Sequence, residues 1–463
     1  MKGEGDWVFR LAAYGRRSQG VLPDRTPGTS PILGINQAIV VCPLLYQEFC
    51  AMKVGLQSVL NDANIDAAQV NSQRQLSVSI AAIAESLSRS VPLNLCLILD
   101  HSGSMSGRSL DTVKQAAIRL VDRLSPGDRL TLVAFDHKAK VLVPNEVIDN
   151  PASIKLQINQ LKAGGGTAID EGLRLGIEEL AKGKKDTVSQ AFLLTDGENE
   201  HGDNDRCLKL AKLATDYNLT LNTLGFSDRW NQDVLEKIAD AGGGTLSFIQ
   251  YPEQAVAEFD RLFTRMQSVG LTNAHLLLTL APDVRLAEMK PIAQVAPDTI
   301  ELTVQQEAGK YLVRLGDLMV DAPRVVLANL YIGKLPAGEQ PIAHVQIRYD
   351  DPAYSKEALL SETLTITANT VSPYQPALNA DVQQHILALA KYRQTQIAET
   401  KLQQGDRTGA ATMLQTAAKT ALQMGDQGAA TVLQVNATKL QAGEELSEGD
   451  RKKTRIVSKT TLQ

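Results

Sequence analysis

Between residues 93 and 99 the chain reads Leu-Asn-Leu-Cys-Leu-Ile-Leu and then stops on Asp100. Such a run, apolar on both alternating faces and abruptly ended, is the profile of a buried strand in a parallel sheet. Past a Gly/Ser loop, Leu110, Val113, Ala117, Leu120, Val121 and Leu124 recur at helical spacing until Ser125-Pro126-Gly127-Asp128 breaks the pattern. The alternation then repeats, with strands at 130–135 and 139–143, helices at 153–161 and 168–182, and a strand at 191–194. A helix at 207–217, a strand at 220–226, a helix at 232–241, a strand at 245–249 and a helix at 253–266 complete the set. Strands alternating with helices of about ten residues or more predict an α/β fold, a doubly wound and mainly parallel sheet, over residues 91–268.

After Gly270 the texture changes to short β-rich runs at 274–280, 299–304, 311–315, 325–332, 342–349 and 362–368. Turn residues such as Pro282-Asp283, Ala308-Gly309 and Pro336-Ala337-Gly338 separate them, which predicts an antiparallel β-sandwich over residues 271–370. Residues 76–87 read as a strand passing into a polar connector, so segment 52–90 is expected to add strands to that sandwich and the α/β domain to be an insertion. Residues 378–441 have neither proline nor strand texture. There Gly405-Asp406 with Gly409-Ala410-Ala411-Thr412 is echoed by Gly425-Asp426 with Gly428-Ala429-Ala430-Thr431. One helix plus one tight turn fits that period and predicts a helical bundle over residues 376–443. Residues 444–463 are polar and are expected to be a disordered tail.

The apolar run at 38–46, behind several arginines, resembles a signal-peptide core, but Pro43 interrupts it and residues 48–51 make no convincing cleavage site. The expectation is that residues 1–51 form an upstream extension without a fold of its own and that Met52 begins the functional protein.

At 463 residues the chain is too long for one core. Its net charge of −5 offers no basic field for nucleic acid or anionic lipid. No uninterrupted apolar stretch reaches the length of a membrane span. The four cysteines, Cys42, Cys50, Cys96 and Cys207, show no CxxC spacing, which suits a reducing, cytoplasmic setting.

Chemistry concentrates at Asp100-His101-Ser102-Gly103-Ser104. In an extended loop, residues two apart face the same way, so the Asp100 carboxylate and the Ser102 and Ser104 hydroxyls can converge. These are hard oxygen donors suited to Mg²⁺ or Mn²⁺. Alone, the motif reads equally well as a turn with serine caps. Two further loops change that balance. Strand 191–194 runs into Thr195-Asp196-Gly197, and Gly164-Gly165-Gly166 delivers Thr167 just ahead of a helix. Loops at the carboxyl ends of parallel strands line the ligand crevice of an open α/β sheet. The sequence Ala-Gly-Gly-Gly-Thr occurs twice, ending at Thr167 and at Thr245; only the first opens a helix, so Thr167 is the candidate.

These residues resemble the metal-ion-dependent adhesion site of the von Willebrand factor A family. Asp100, Ser102 and Ser104 match its D-x-S-x-S element, Thr167 its threonine and Asp196 its later aspartate. The resemblance implies a Rossmann-like fold and one bound Mg²⁺ (or Mn²⁺), with the serines and threonine touching the metal and the aspartates often acting through water. It also implies a protein partner that offers a Glu or Asp carboxylate. The wider arrangement is similar to bacterial members whose metal domain is embedded in a β-sandwich, as in inter-α-trypsin inhibitor heavy chains.

Other residues have plainer readings. His101 is expected to point to the far side of its loop, and His137 to sit in a hairpin. Glu198, Glu200, His201, Asp203 and Asp205 read as a solvated acidic loop rather than a second ion site, and Trp230 as a packing or rim residue. Thr454, behind Arg451-Lys452-Lys453, offers a kinase a possible target on a solvated tail. No G-x-S-x-G, HExxH or Walker lysine is present, so nothing resembles a hydrolase or a phosphate cradle. The expected function is a non-catalytic, metal-dependent protein-binding module. The alternative is an accessory, substrate-presenting subunit of an AAA-type ATPase or chelatase.

Overall fold

The structure is a computed structural model and describes residues 54–83, 91–226 and 230–460. The expectations for residues 1–51, for Met52 and for the connector at 84–90 lie outside the described residues.

Three strands come first: β1 (Val54–Leu60), β2 (Asn64–Asp66) and β3 (Ser72–Ala82). The chain then enters the α/β domain through β4 (Leu93–Asp100), α1 (Arg108–Arg123), β5 (Arg129–Phe135) and β6 (Ala139–Val147). It continues through α2 (Pro151–Gln160), α3 (Ile169–Lys182), β7 (Val188–Thr195) and α4 (Asn204–Asp216). β8 (Thr220–Phe226), α5 (Gln232–Ala241), β9 (Gly243–Ile249) and α6 (Ala255–Gln267) close the domain. The sheet order is β6-β5-β4-β7-β8-β9; β6 is antiparallel to β5, and the remaining pairings are parallel. β4 and β7 are buried at every position, because helices cover both faces and strands both edges. One apolar cluster joins Leu97 and Leu99 to α1 and α6 through Val113, Leu120, Phe259 and Phe263. The other joins Cys96 and Ile98 to α3, α4 and α5 through Leu173, Ala211 and Leu235.

The sandwich follows as β10 (Val269–Leu280), β11 (Val284–Leu286), β12 (Ile292–Ala296), β13 (Ile300–Glu301) and β14 (Val304–Glu307). β15 (Lys310–Met319), β16 (Arg324–Ile332), β17 (Gly338–Asp351), β18 (Lys356–Leu360) and β19 (Leu364–Val371) complete it. Its sheets run β1-β3-β16-β12-β13 and β14-β15-β10-β17-β19-β2. β3 pairs antiparallel with β16 from Ser72↔Ile332 to Ile80↔Arg324, so strands from before and after the α/β domain share one sheet. Leu76 and Ile80 of one sheet meet Leu276, Val313 and Ile347 of the other in a common core.

The chain ends in four helices, α7 (Ala380–Gln403), α8 (Arg407–Gln423), α9 (Gln427–Gln441) and α10 (Glu448–Lys459). The Gly-Asp repeat has a direct cause. Gly405 and Gly425 take φ of 79° and 80°, a left-handed turn that glycine adopts without strain. Asp406 and Asp426 then cap α8 and α9 by accepting from Gly409 N and Ala429 N.

The tail is a correction. Residues 444–460 are not a disordered segment, the last three residues of the expected tail lying outside the described residues: α10 opens on a capping box between Ser447 and Asp450 and packs back on the molecule. Several of its charges are matched by partners on the rest of the molecule. Arg455 pairs with Asp233 and Glu236 of α5 and with Glu399 of α7, and Lys459 with Glu236 and Asp240 of α5. Lys452 is 1% exposed; its Nζ donates to the Trp230 carbonyl at 2.8 Å and lies 4.3 Å over the Trp230 ring. Thr454 is buried as well and accepts from Asn436 Nδ2 at 2.7 Å, so the folded helix withholds the residue that a kinase would need.

Candidate metal site of the α/β domain

Parallel strands deliver their carboxyl ends to one edge of the sheet, and there β4 and β7, hydrogen-bonded neighbours, stop at Asp100 and Thr195. Asp100 is fully buried. One carboxylate oxygen accepts from Ser102 N at 2.7 Å and the other from the Thr195 hydroxyl. Ser102 Oγ lies 3.1 Å from Ser104 Oγ, and Ser104 Oγ donates to Asp196 Oδ1 at 2.6 Å. Thr167 reaches the same crevice: a Cβ placed on Gly197 would stand 3.1 Å from Thr167 Oγ1 and 3.6 Å from Ser104 Oγ. All five candidate side chains thus face one crevice, drawn from three loops.

Backbone hydrogen bonds hold those loops together. Gly103 N donates to Gly165 O at 3.0 Å, and Gly164 N to His101 O at 2.9 Å. His201 N donates to Thr167 O at 2.9 Å, and Ala168 N to Asp136 O at 2.7 Å. Gly165, at φ 78°, passes so near Asp136 and His137 that a Cβ would come within 2.7 Å of either side chain. The second glycine run behaves differently. Thr245 lies in β9 and its N donates to Asn222 Oδ1, while a Cβ on Gly244 would collide with the Leu221 carbonyl. Those glycines let β9 approach β8.

Burial pushes the Asp100 carboxyl up to about 6 against the hydrogen bonds from Thr195 and Ser102, and the Asp196 charge adds to the rise. Two carboxylates in a shielded crevice are stabilised by a cation between them. The donor set, three hydroxyls and two carboxylates, suits a hard divalent ion that keeps some water. Clusters of three or more His, Cys, Asp or Glu side chains able to hold a metal do not occur among the described residues; hydroxyls supply most of the donors here.

The neighbours take plain roles. His101 Nδ1 lies 3.0 Å from the Lys162 carbonyl, away from the crevice. Asp203 caps α4 by accepting from Asp205 N and Arg206 N. Trp230 is buried rather than on a rim. Cys96 and Cys207 are buried thiols whose pKa burial raises, so neither is a ready nucleophile. Sequence reasoning passed over Thr195, which orients Asp100 and also accepts from Gly197 N, and Asn199, whose Oδ1 accepts from Ile169 N at the start of α3. A threonine directly before the strand-end aspartate was the available signal for the first.

Comparison with known proteins agrees with this architecture. The von Willebrand factor type A domain family matches residues 94–261. The Sll0103-like C-terminal alpha-helical domain matches residues 380–463. Protein sll0103 of Synechocystis is 61% identical over 412 residues, 89% of this chain and 98% of that protein. The chain belongs to the Sll0103-like von Willebrand factor A proteins.

Members of the von Willebrand A family are typically metal-dependent, non-catalytic protein-interaction modules. Inter-alpha-trypsin inhibitor heavy chain H4 of Bos taurus is 26% identical over 252 residues, which are 52% of this chain and 26% of that protein. Among solved structures, a von Willebrand factor type A protein from Catenulispora acidiphila superposes with a TM-score of 0.76 at 19% identity, covering 90% of this chain and all of that one. The ArnB paralog VWA2 from Sulfolobus acidocaldarius follows at 0.53 and 17% identity, covering 88% and 97%. Those two likenesses concern the fold. No helix among the described residues is long and apolar enough to cross a membrane.

Proposed function

We propose that this Sll0103-like protein is a non-catalytic binding module that holds one Mg²⁺ (or Mn²⁺) among Asp100, Ser102, Ser104, Thr167 and Asp196 and takes a Glu or Asp carboxylate of a partner protein. The observation behind this reading is the Ser102–Ser104–Asp196 chain of side-chain contacts, closed on the other side by Thr167. The ion would supply positive charge and an exchangeable coordination position. The residues do the rest. Asp100 is anchored by Thr195 and by the Ser102 amide, so it orients its loop. The Ser104 side chain is exposed, which leaves the crevice open towards solvent on that side. Because hydroxyls outnumber carboxylates, an ion held there keeps enough charge to attract an incoming carboxylate.

The test is affinity capture from cell extract with the full chain, in Mg²⁺, in EDTA, and with Asp196→Ala in Mg²⁺. The reading requires a protein retained only in the first. Equal recovery in all three would remove the metal from the function.

A further inference from the structure

On the opposite edge of the α/β sheet, where α4 and α5 end and β9 begins, the domain faces the sandwich and α10 across a cleft of about 1170 Å³. The sandwich wall of this cleft carries three basic side chains in a row. His275 of β10 pairs directly with Arg314 of β15 on one side and with Arg348 of β17 on the other. Directly paired residues share a sheet face, and all three line the cleft.

The acidic groups around them are mostly committed elsewhere. Glu236 and Asp240 are paired with Lys459, Asp298 with Arg265, and Glu301 with Arg393. The three basic groups are left over. Among the described residues the Arg348 side chain has neither an ion pair nor a hydrogen bond, and the Arg314 side chain has only a 3.5 Å hydrogen bond to the Thr215 carbonyl. Asp317 and Asp216 lie near enough to favour the Arg314 charge, although burial works against it. The His275 Nδ1 donates to the Asn273 carbonyl at 2.8 Å, and burial, with the Arg348 and Arg314 charges, lowers its pKa; Nε2 therefore donates to an anion only once the ring takes up a second proton, which a bound anion favours.

The chain also keeps room around the Arg314 head group. Gly243 and Gly316 both take positive φ, 70° and 79°. A Cβ on Gly243 would stand 2.8 Å from Arg314 Nη1, and one on Gly316 3.8 Å from it. A half-buried guanidinium that makes no direct ion pair, with Asp317 and Asp216 offsetting its burial only from a distance, gains from an anion brought into contact with it, and a planar fork of donors matches carboxylate or phosphate oxygens.

We infer that this junction cleft is a binding site for a small multivalent anion, a di- or tricarboxylate or a phosphorylated metabolite, held by Arg314, His275 and Arg348. The site is independent of the metal crevice, which lies at the other ends of the strands.

The test is calorimetric titration of the EDTA-treated full chain with citrate and, separately, with inorganic pyrophosphate at constant ionic strength. Wild-type protein is expected to bind at least one of the two with one site per chain and a Kd below about 1 mM. Arg314→Gln and Arg348→Gln should each weaken that binding by about tenfold or more, and Asp196→Ala should leave it unchanged. The arm that binds distinguishes carboxylate from phosphate chemistry. Melting curves show whether each variant folds, and His275→Gln provides a milder third variant. Wild-type binding of neither anion, undiminished binding by all three folded variants, or saturation only by a long polyanion such as heparin would each overturn the inference.

Discussion

Ser104 donates its hydroxyl proton to Asp196 at 2.6 Å across 92 positions of sequence. The bond joins the loop after β4 to the loop after β7, and it uses the two oxygens that a metal ion would compete for. On this account ion binding replaces it with metal-directed contacts, so removal of either partner acts on the metal before it acts on the fold.

Magnesium at about a hundredfold excess over its Kd should stabilise the wild-type protein by about 2.7 kcal/mol. Asp196→Ala and Ser104→Ala should lose most of that gain while unfolding normally in EDTA. Thermal melts with and without Mg²⁺ measure both quantities. A full magnesium response in Asp196→Ala would contradict the assignment.

Gly165→Ala removes no candidate ligand, yet it should weaken the metal response. The position requires φ near 78°, its Cβ would press on Asp136 and His137, and its carbonyl holds the Gly103 amide. Strain of about 1–3 kcal/mol is expected at such a site. The same melts should show a smaller magnesium shift together with a lower baseline.

Trp230 and Lys452 fasten the last helix to the α/β domain. Trp230→Ala should cost about 3–5 kcal/mol in urea unfolding, as for other buried large-to-small changes. Lys452→Met keeps the stem and loses the hydrogen bond to the Trp230 carbonyl, for about 1–3 kcal/mol. Truncation after residue 446 should expose the indole, which a red shift in tryptophan emission would report. An unchanged spectrum would mean that α10 does not cover Trp230.

His385 of α7 lies 3.1 Å from the Ser77 hydroxyl of β3. Burial lowers its pKa, with Asp381 partly opposing. The unfolded chain therefore binds a proton more readily than the folded one between the ordinary histidine value of about 6.5 and the lower folded value. Stability should fall as pH drops through that window, and His385→Gln should flatten the slope. Urea midpoints over a series of pH values measure it; a slope identical in the variant would assign the effect elsewhere.

The α/β domain was legible because its strands are buried on both faces and therefore continuous in sequence. Residues 93–99 needed no partner information to be read. The candidate site was legible for a related reason, since D-x-S-x-S, Thr167 and Asp196 each stand beside an element boundary that periodicity locates. Short strands escaped. β11 and β12 are three and five residues long, below the length at which alternation is distinguishable from loop. α10 was misread because its burial depends on charge pairing with α5 and on the Trp230 face, information that resides more than two hundred positions away. The row formed by Arg314, His275 and Arg348 was equally hidden, because only strand register brings those residues together.

The most direct test of the metal assignment is anomalous diffraction from crystals of the full chain grown with Mn²⁺. The account predicts one peak within about 2.2 Å of oxygens drawn from Ser102, Ser104 and Thr167, or bridged by water to Asp100 and Asp196. A peak only elsewhere, or none in that crevice at saturating Mn²⁺, would contradict it.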